Sequence, residues 1–313
     1  MIMKKYHKWM ILVSFLIISI LSFLYSWQYL TPVFARAKIS IDGPSINDTH
    51  LISKLVTSGL KAPTAMTFVG QDDILVTEKN TGNLMRIVNG VTLQQPLLHV
   101  EVAKKDERGL LGVAISKNTE TGKRFVFIYY TEAQRNDLGG VTPDPEGNRV
   151  YRYELVNDNL TNPKLLLDLP SLPGPQHNGG KITIGPDNNL YIAIGDVGGS
   201  FVAKDSETKA QNYVNGSEPD GRSAIIRITQ DGNPVDNGII GSVPTSNLYY
   251  AYGIKNSFGI DFDPVTGKLW DTENGPTFGD EINLVDPGFN SGWAKVQGIW
   301  VIRSQEGVNT EPG

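Results

Sequence analysis

Short apolar runs separated by turn-forming residues recur four times between residues 63 and 293, and this recurrence leaves the chain few folds to choose from. In the first unit, 63–89, Ala65-Met66-Thr67-Phe68-Val69 has the pattern of a strand. Gly70-Gln71-Asp72-Asp73 turns, Ile74-Leu75-Val76-Thr77 returns, and 83–88 follows a loop over 78–82. The second unit opens on Gly109-Leu110-Leu111-Gly112-Val113-Ala114-Ile115. It continues through 124–131, crosses a loop rich in Gly, Pro and Asp, and ends in 149–154. The third is 180–184, the turn Gly185-Pro186-Asp187-Asn188-Asn189, then 190–194 and 224–229; the fourth occupies 249–293. Runs of this length between Gly, Asn and Asp clusters read as antiparallel strands. Units of strand, turn, strand, loop, strand at spacings of roughly 45 to 80 residues predict an all-β propeller, with a plain β-sandwich as the competing architecture. The stretch 51–60 reads equally as a short helical piece or a strand.

Composition narrows the class. The 313 residues allow one large all-β domain or two smaller ones. With 40% of residues hydrophobic, the chain can build a core, so disorder is excluded. There is no cysteine, which removes disulfides, thiolate metal sites and cysteine nucleophiles. The net charge is -5 and no basic run follows the N-terminus, which argues against a nucleic-acid partner. Lys4, Lys5 and Lys8 precede a nearly continuous apolar run, 9–29, and Ala35-Arg36-Ala37 follows it. Residues 1–37 are therefore expected to be a cleaved signal peptide or a retained membrane anchor, and 38–313 the propeller domain. Either form places that domain outside the cytoplasm.

Polar groups concentrate in the fourth unit and in one loop of the third. The fourth contains Gly253-Ile254-Lys255-Asn256-Ser257-Phe258-Gly259, Glu273-Asn274-Gly275-Pro276, Asp280-Glu281-Ile282-Asn283 and Gly292-Trp293. In that order and spacing these pieces resemble the PQQ (pyrroloquinoline quinone)-dependent sugar dehydrogenases, the soluble glucose and sorbosone dehydrogenase family. The resemblance covers about residues 60–293. It implies a six-bladed β-propeller, of which this sequence shows about four blades, so the chain reads as C-terminally incomplete. No P-loop, HExxH, Rossmann glycine pattern or Gly-x-Ser-x-Gly elbow is present.

His177 is the sharpest catalytic candidate. It lies in Gly174-Pro175-Gln176-His177-Asn178-Gly179-Gly180-Lys181, where glycines let the backbone bend and a flat ligand approach. Imidazole is the usual general base near neutral pH; a loop histidine that only bonds a carbonyl is the alternative. The family resemblance implies that His177 takes the proton of an aldose's anomeric hydroxyl. It also implies Glu107, Lys255, Asn256 and Asn274 as cofactor contacts, with Lys255 standing where the family has arginine. Glu107 could also be part of a solvated charge cluster, and Lys255 an exposed strand-edge lysine. By the same resemblance the carbonyls of Gly275 and Pro276 hold a calcium ion against PQQ; a plain Gly-Pro turn is the alternative. Asp280 and Glu281 are read as ligands of a second calcium or as caps of the next strand. His50 and His99 are expected at the surface, and Asp196 in a structural role.

The expected function is PQQ- and calcium-dependent oxidation of an aldose to its lactone, with electrons passed to an external acceptor. Two alternatives stay open: a non-catalytic extracellular propeller that only binds, and a calcium-dependent propeller lactonase.

Overall fold

The computed structural model describes residues 48, 50–116, 122–198, 207–275, 279–296 and 298, with the backbone of 301–302 and 308–309. The expected signal or anchor, 1–37, and Pro276 lie outside these residues. Among the described residues no helix is long and apolar enough to cross a membrane. The chain divides into two units, 1–56 and 57–313. The described part of the first forms a turn, closed by the amide of Leu51 on the carbonyl of Asp48 (3.2 Å). Residues 51–60 are neither helix nor strand.

The second unit is built from four antiparallel meanders. Blade 1 runs β1 (Pro63–Gly70), β2 (Asp73–Glu78), β3 (Asn83–Val88) and β4 (Val91–Thr92), with β5 (Leu98–His99) also paired to β3. Blade 2 is β6 (Leu110–Ile115), β7 (Arg124–Arg135), β8 (Val141–Val156) and β9 (Asn159–Leu169). Blade 3 is β10 (Ile182–Ile184), β11 (Leu190–Ile194), β12 (Ala224–Ile228) and β13 (Tyr249–Tyr252). Blade 4 is β14 (Ser257–Phe262), β15 (Leu269–Glu273) and β16 (Glu281–Val285), and a two-stranded ribbon, β17 (Val301–Ile302) with β18 (Val308–Asn309), follows. Helical structure among the described residues is two single 3-10 turns, Lys209–Gln211 and Ser246–Leu248.

The propeller reading holds, with two corrections. Residues 249–252 do not open the fourth unit; they are the last strand of blade 3, paired with β12. The segment between 131 and 149 is less a loop than the tip of a long hairpin. β7 and β8 pair out to Arg135 and Val141, through register shifts beside Pro145. Shifts of this kind let a proline sit in a ladder that it could not otherwise join.

Central strands explain the continuous apolar runs, because each serves two cores. Val126, Ile128 and Tyr130 of β7 pack toward blade 1 with Leu75, Leu84 and Leu110. Phe127 and Tyr129, pointing the other way, pack toward blade 3 with Ile192 and Ile226. β11 repeats the arrangement: Leu190, Ile192 and Ile194 join blade 2's core, while Tyr191 and Ala193 join that of blade 4 with Ile260, Leu269 and Val285. A strand buried on both faces loses the alternation of a half-exposed one. Each fully buried aliphatic side chain contributes about 1.5–3 kcal/mol.

The innermost strands β1, β6, β10 and β14 neighbour one another in that order and line a common axis. Close approach there is made by glycine. A Cβ on Gly112 would meet the carbonyl oxygen of Gly180 at 1.9 Å, and one on Gly180 would meet Leu111 Cβ at 2.4 Å. The Gly-Leu-Leu-Gly and Asn-Gly-Gly motifs are thus two halves of one backbone contact.

Candidate active site

Each functional side chain precedes or ends an inner or central strand at the same mouth of the blades. Glu107 sits just before β6, His177 before β10, Asp196 after β11, Lys255 and Asn256 before β14, and Glu273 at the end of β15.

The loop bearing His177 is fixed from below. Tyr129 donates its hydroxyl proton to the carbonyl of Asn178 (2.7 Å). Asn148 donates to the side-chain oxygen of Asn178 (2.9 Å), and Asn178 donates to the carbonyl of Pro175 (2.7 Å). The buried Arg108 guanidinium donates to the carbonyls of Ser171 (2.6 Å) and Gly174 (3.1 Å). His177 itself adopts φ 58°, a left-handed conformation uncommon outside glycine. Its backbone amide donates to Glu107 Oε2 at 2.6 Å, which compensates that conformation with a charge-assisted bond.

The imidazole is held at both nitrogens. Nδ1 lies 2.7 Å from Asp196 Oδ1 and Nε2 lies 3.2 Å from Lys255 Nζ. The carboxylate of Asp196 can only accept, so Nδ1 carries the hydrogen, and the Lys255 ammonium can only donate, so Nε2 meets it with its lone pair. Asp196 is buried and fixed by two further donors, the amide of Gly198 (3.0 Å) and the indole of Trp293 (2.9 Å). Its own amide donates to the carbonyl of Lys255 (3.0 Å).

Lys255 is 4% exposed, so it is not a strand-edge surface lysine. Burial pushes its ammonium below the usual lysine value, against the opposing pull of Asp196, Glu107, Glu273 and Asp280. Its amide donates to Glu273, whose other oxygen accepts from Ser291 (2.6 Å). Asn256 donates to Glu107 (3.3 Å). Glu107 therefore bridges two site residues rather than standing in a solvated cluster. Burial raises the Glu273 carboxyl to about 7 and that of Asp271, on the same face of β15, to about 6.

A cleft of about 240 Å³ adjoins this cluster through Glu107 and Asn256, and Thr64, Lys79, Asp106, Lys181 and Phe258 also line it. The ammoniums of Lys79 and Lys181 and the Asn256 carboxamide can pair with an anionic ligand, and the carboxylates of Asp106 and Glu107 share the same wall. A second recess of about 10 Å³, room for one water-sized species, lies on the blade 4 side. Lys255, Asn274, Gly275, Glu281 and Trp293 line it. Asn274 Oδ1 is buried there with no hydrogen-bond partner, while its amide donates to the carbonyl of Gly275 (3.1 Å). An orphaned amide oxygen beside a carbonyl is the hard-oxygen chemistry that calcium takes. Glu281 is engaged by Asn283 (3.3 Å), Ser291 (3.4 Å) and the amide of Gly298 (2.9 Å). Among the described residues no group of three or more His, Asp or Glu is placed to hold a metal.

The fold thus brings His177, Glu107, Lys255 and Asn256 into one cluster. Asn274, Gly275 and Glu281 form its flank. His99 is exposed on β5, bonded to Asn83, and His50 is exposed beside Asp48, as expected. Sequence reasoning missed Asp196, Trp293 and Glu273 as partners of the site.

The sequence profile of the glucose/sorbosone dehydrogenases matches residues 60–304. The chain belongs to the glucose/sorbosone dehydrogenase family. Within that family it is 30% identical over 286 residues to quinoprotein glucose dehydrogenase B of Acinetobacter calcoaceticus, covering 86% of this chain and 56% of that protein. It is 27% identical over 240 residues to an aldose sugar dehydrogenase of Escherichia coli, covering 75% of this chain and 59% of that one. The PQQ-bound aldose sugar dehydrogenase of Streptomyces coelicolor superposes with a TM-score of 0.60 at 26% identity, covering 78% of this chain and 66% of that structure. The chain spans less than two thirds of the length of the two curated relatives.

Proposed function

We propose that this chain carries the catalytic base of a PQQ-dependent aldose dehydrogenase. One observation carries the reading. His177 is fixed by Asp196 at Nδ1 and by Glu107 at its amide, and Glu107 and Asn256 of that cluster line the adjoining cleft with Lys79 and Lys181. The binding of a quinone cofactor by relatives supports it. The cofactor's fit rests on the chemistry of the donor set. Lys79, Lys181 and Asn256 would hold the carboxylates of PQQ. When bound, PQQ supplies the two-electron acceptor for the anomeric hydride, and an external acceptor reoxidises it.

The chain's own residues do the rest. His177 Nε2 takes the proton of the anomeric hydroxyl as the sugar becomes a lactone. Asp196 stabilises the imidazolium at Nδ1, and Glu107 holds the backbone from which the ring projects. Asn274 and the carbonyl of Gly275, with Pro276, would bind calcium, and Glu281 supports that flank. The apolar 9–29 segment fits an exported protein, with aldose and acceptor outside the cytoplasm.

The test is a PQQ titration followed by absorbance, then dye-linked aldose oxidation, with His177→Ala alongside wild type. PQQ should bind both proteins, and turnover should fall by on the order of 10²-fold or more in the variant. Undiminished turnover would remove His177 from the mechanism.

A further inference from the structure

In this structure the lone pair that the base needs is already occupied. With Nδ1 committed to Asp196, Nε2 is the imidazole's one acceptor, and Lys255 Nζ sits on it at 3.2 Å. Lys255 is buried, and it forms no salt bridge among the described residues. Its other neighbour is the face of Trp293, with Nζ 5.9 Å from the ring centroid. The side-chain hydrogen-bond partner of this desolvated ammonium is a neutral nitrogen, and its carboxylate neighbours act on it through space without an ion pair. It also sits on a flexible stem as a rotatable point charge, unlike the rigid fork of an arginine.

We infer that Lys255 is a positioning residue that caps His177 Nε2 while the cleft holds no anion, and that an anionic cofactor draws the ammonium off and frees the base. The inference rests on the cleft being the cofactor site. Asp196, Glu107, Glu273 and Asp280 already bias the surroundings of Lys255 toward keeping its charge. The ammonium therefore has reason to follow a fresh carboxylate or quinone oxygen. Loading the cofactor and baring the base become one event, so a sugar entering an empty cleft meets a blocked nitrogen.

The cap is tested in cofactor-free protein. Nitrogen-15 histidine labelling gives few signals, because the chain has four histidines. In wild type the His177 Nε2 resonance should lie at a hydrogen-bonded position. In Lys255→Met it should move to the free, pyridine-type position, while the Asp196-bonded Nδ1 stays put. Carbethoxylation of His177, read by peptide mass spectrometry, should be about tenfold faster in Lys255→Met. A free Nε2 resonance in wild type, or equal modification rates, would overturn the cap. Should Lys255→Met fail to fold, the wild-type resonance alone decides. Saturating wild type with PQQ, without sugar, should move Nε2 in the same direction as the substitution. If PQQ binds and Nε2 stays capped, release is wrong. If PQQ does not bind, release falls together with the cofactor reading, and the cap is still decided by the first comparison.

Discussion

At the scale of single residues, the histidine was legible and its partner was not. His177 stood out because glycines surround it. Asp196 lies 19 residues later, and only the return of the β10–β11 hairpin brings it to the same mouth. Nothing in Gly195-Asp196 marks that return. Asp196→Asn keeps the shape of the side chain and removes its charge. It can then no longer stabilise the imidazolium, and turnover should fall by on the order of 10²-fold. PQQ affinity should stay within a fewfold of wild type, and a comparable loss of both would mean that Asp196 holds the cleft rather than the base. Lys255 matches a cofactor contact by its place in the motif, and its contact with Nε2 depends on a burial that spacing cannot show.

Among elements, the strands were readable from their apolar runs, but their ends and ownership were not. Tyr249-Tyr250-Ala251-Tyr252 reads as the start of blade 4, because apolar pattern does not say which neighbour a strand bonds to. The backbone pairing with β12 decides it. The hairpin tip beyond Thr131 looks like a loop because Pro, Gly and Asp are turn-formers, yet main-chain bonds carry it on as strand. Glycine contacts between elements give a sharp expectation. Gly112→Ala would drive a methyl into the carbonyl of Gly180, which lies three residues from His177, so β6 and the loop must part. Urea unfolding should show a loss of about 2 kcal/mol or more. Ile192→Ala, in the core between blades 2 and 3, should cost about 2–5 kcal/mol and leave PQQ binding unchanged. If Gly112→Ala proves neutral, the inner strands have slack that the packing does not suggest.

For the molecule as a whole, the propeller class followed from the recurrence of units, while the electrostatic load on its stability did not. Asp271 is fully buried with no hydrogen-bond partner on either oxygen, although Ser257 and Asn283 lie close enough to offset part of its desolvation. Its carboxyl is pushed up to about 6 and that of Glu273 to about 7. A raised carboxyl value means that the folded chain holds the proton more tightly than the unfolded one. This contribution is complete below about pH 4 and is lost as pH rises through 6 and 7, at most about 3 kcal/mol for each group taken alone. Cofactor-free protein should therefore melt lower at pH 8 than at pH 5. Asp271→Asn should flatten that slope and raise the melting temperature at pH 8; parallel curves for the two proteins would show that Asp271 is not the source. There is also a consequence of how His177 is tethered. Its amide is pinned to blade 2 through Glu107, its Nδ1 to blade 3 through Asp196, and its Nε2 to blade 4 through Lys255. Three sheets converge on one residue, so a change in the pitch between blades 3 and 4 stretches a bond at the ring, and one against blade 2 stretches the bond at its amide. The imidazole works as a strain gauge for the propeller, and its spectrum would register a distant loosening of the blades before the fold was lost.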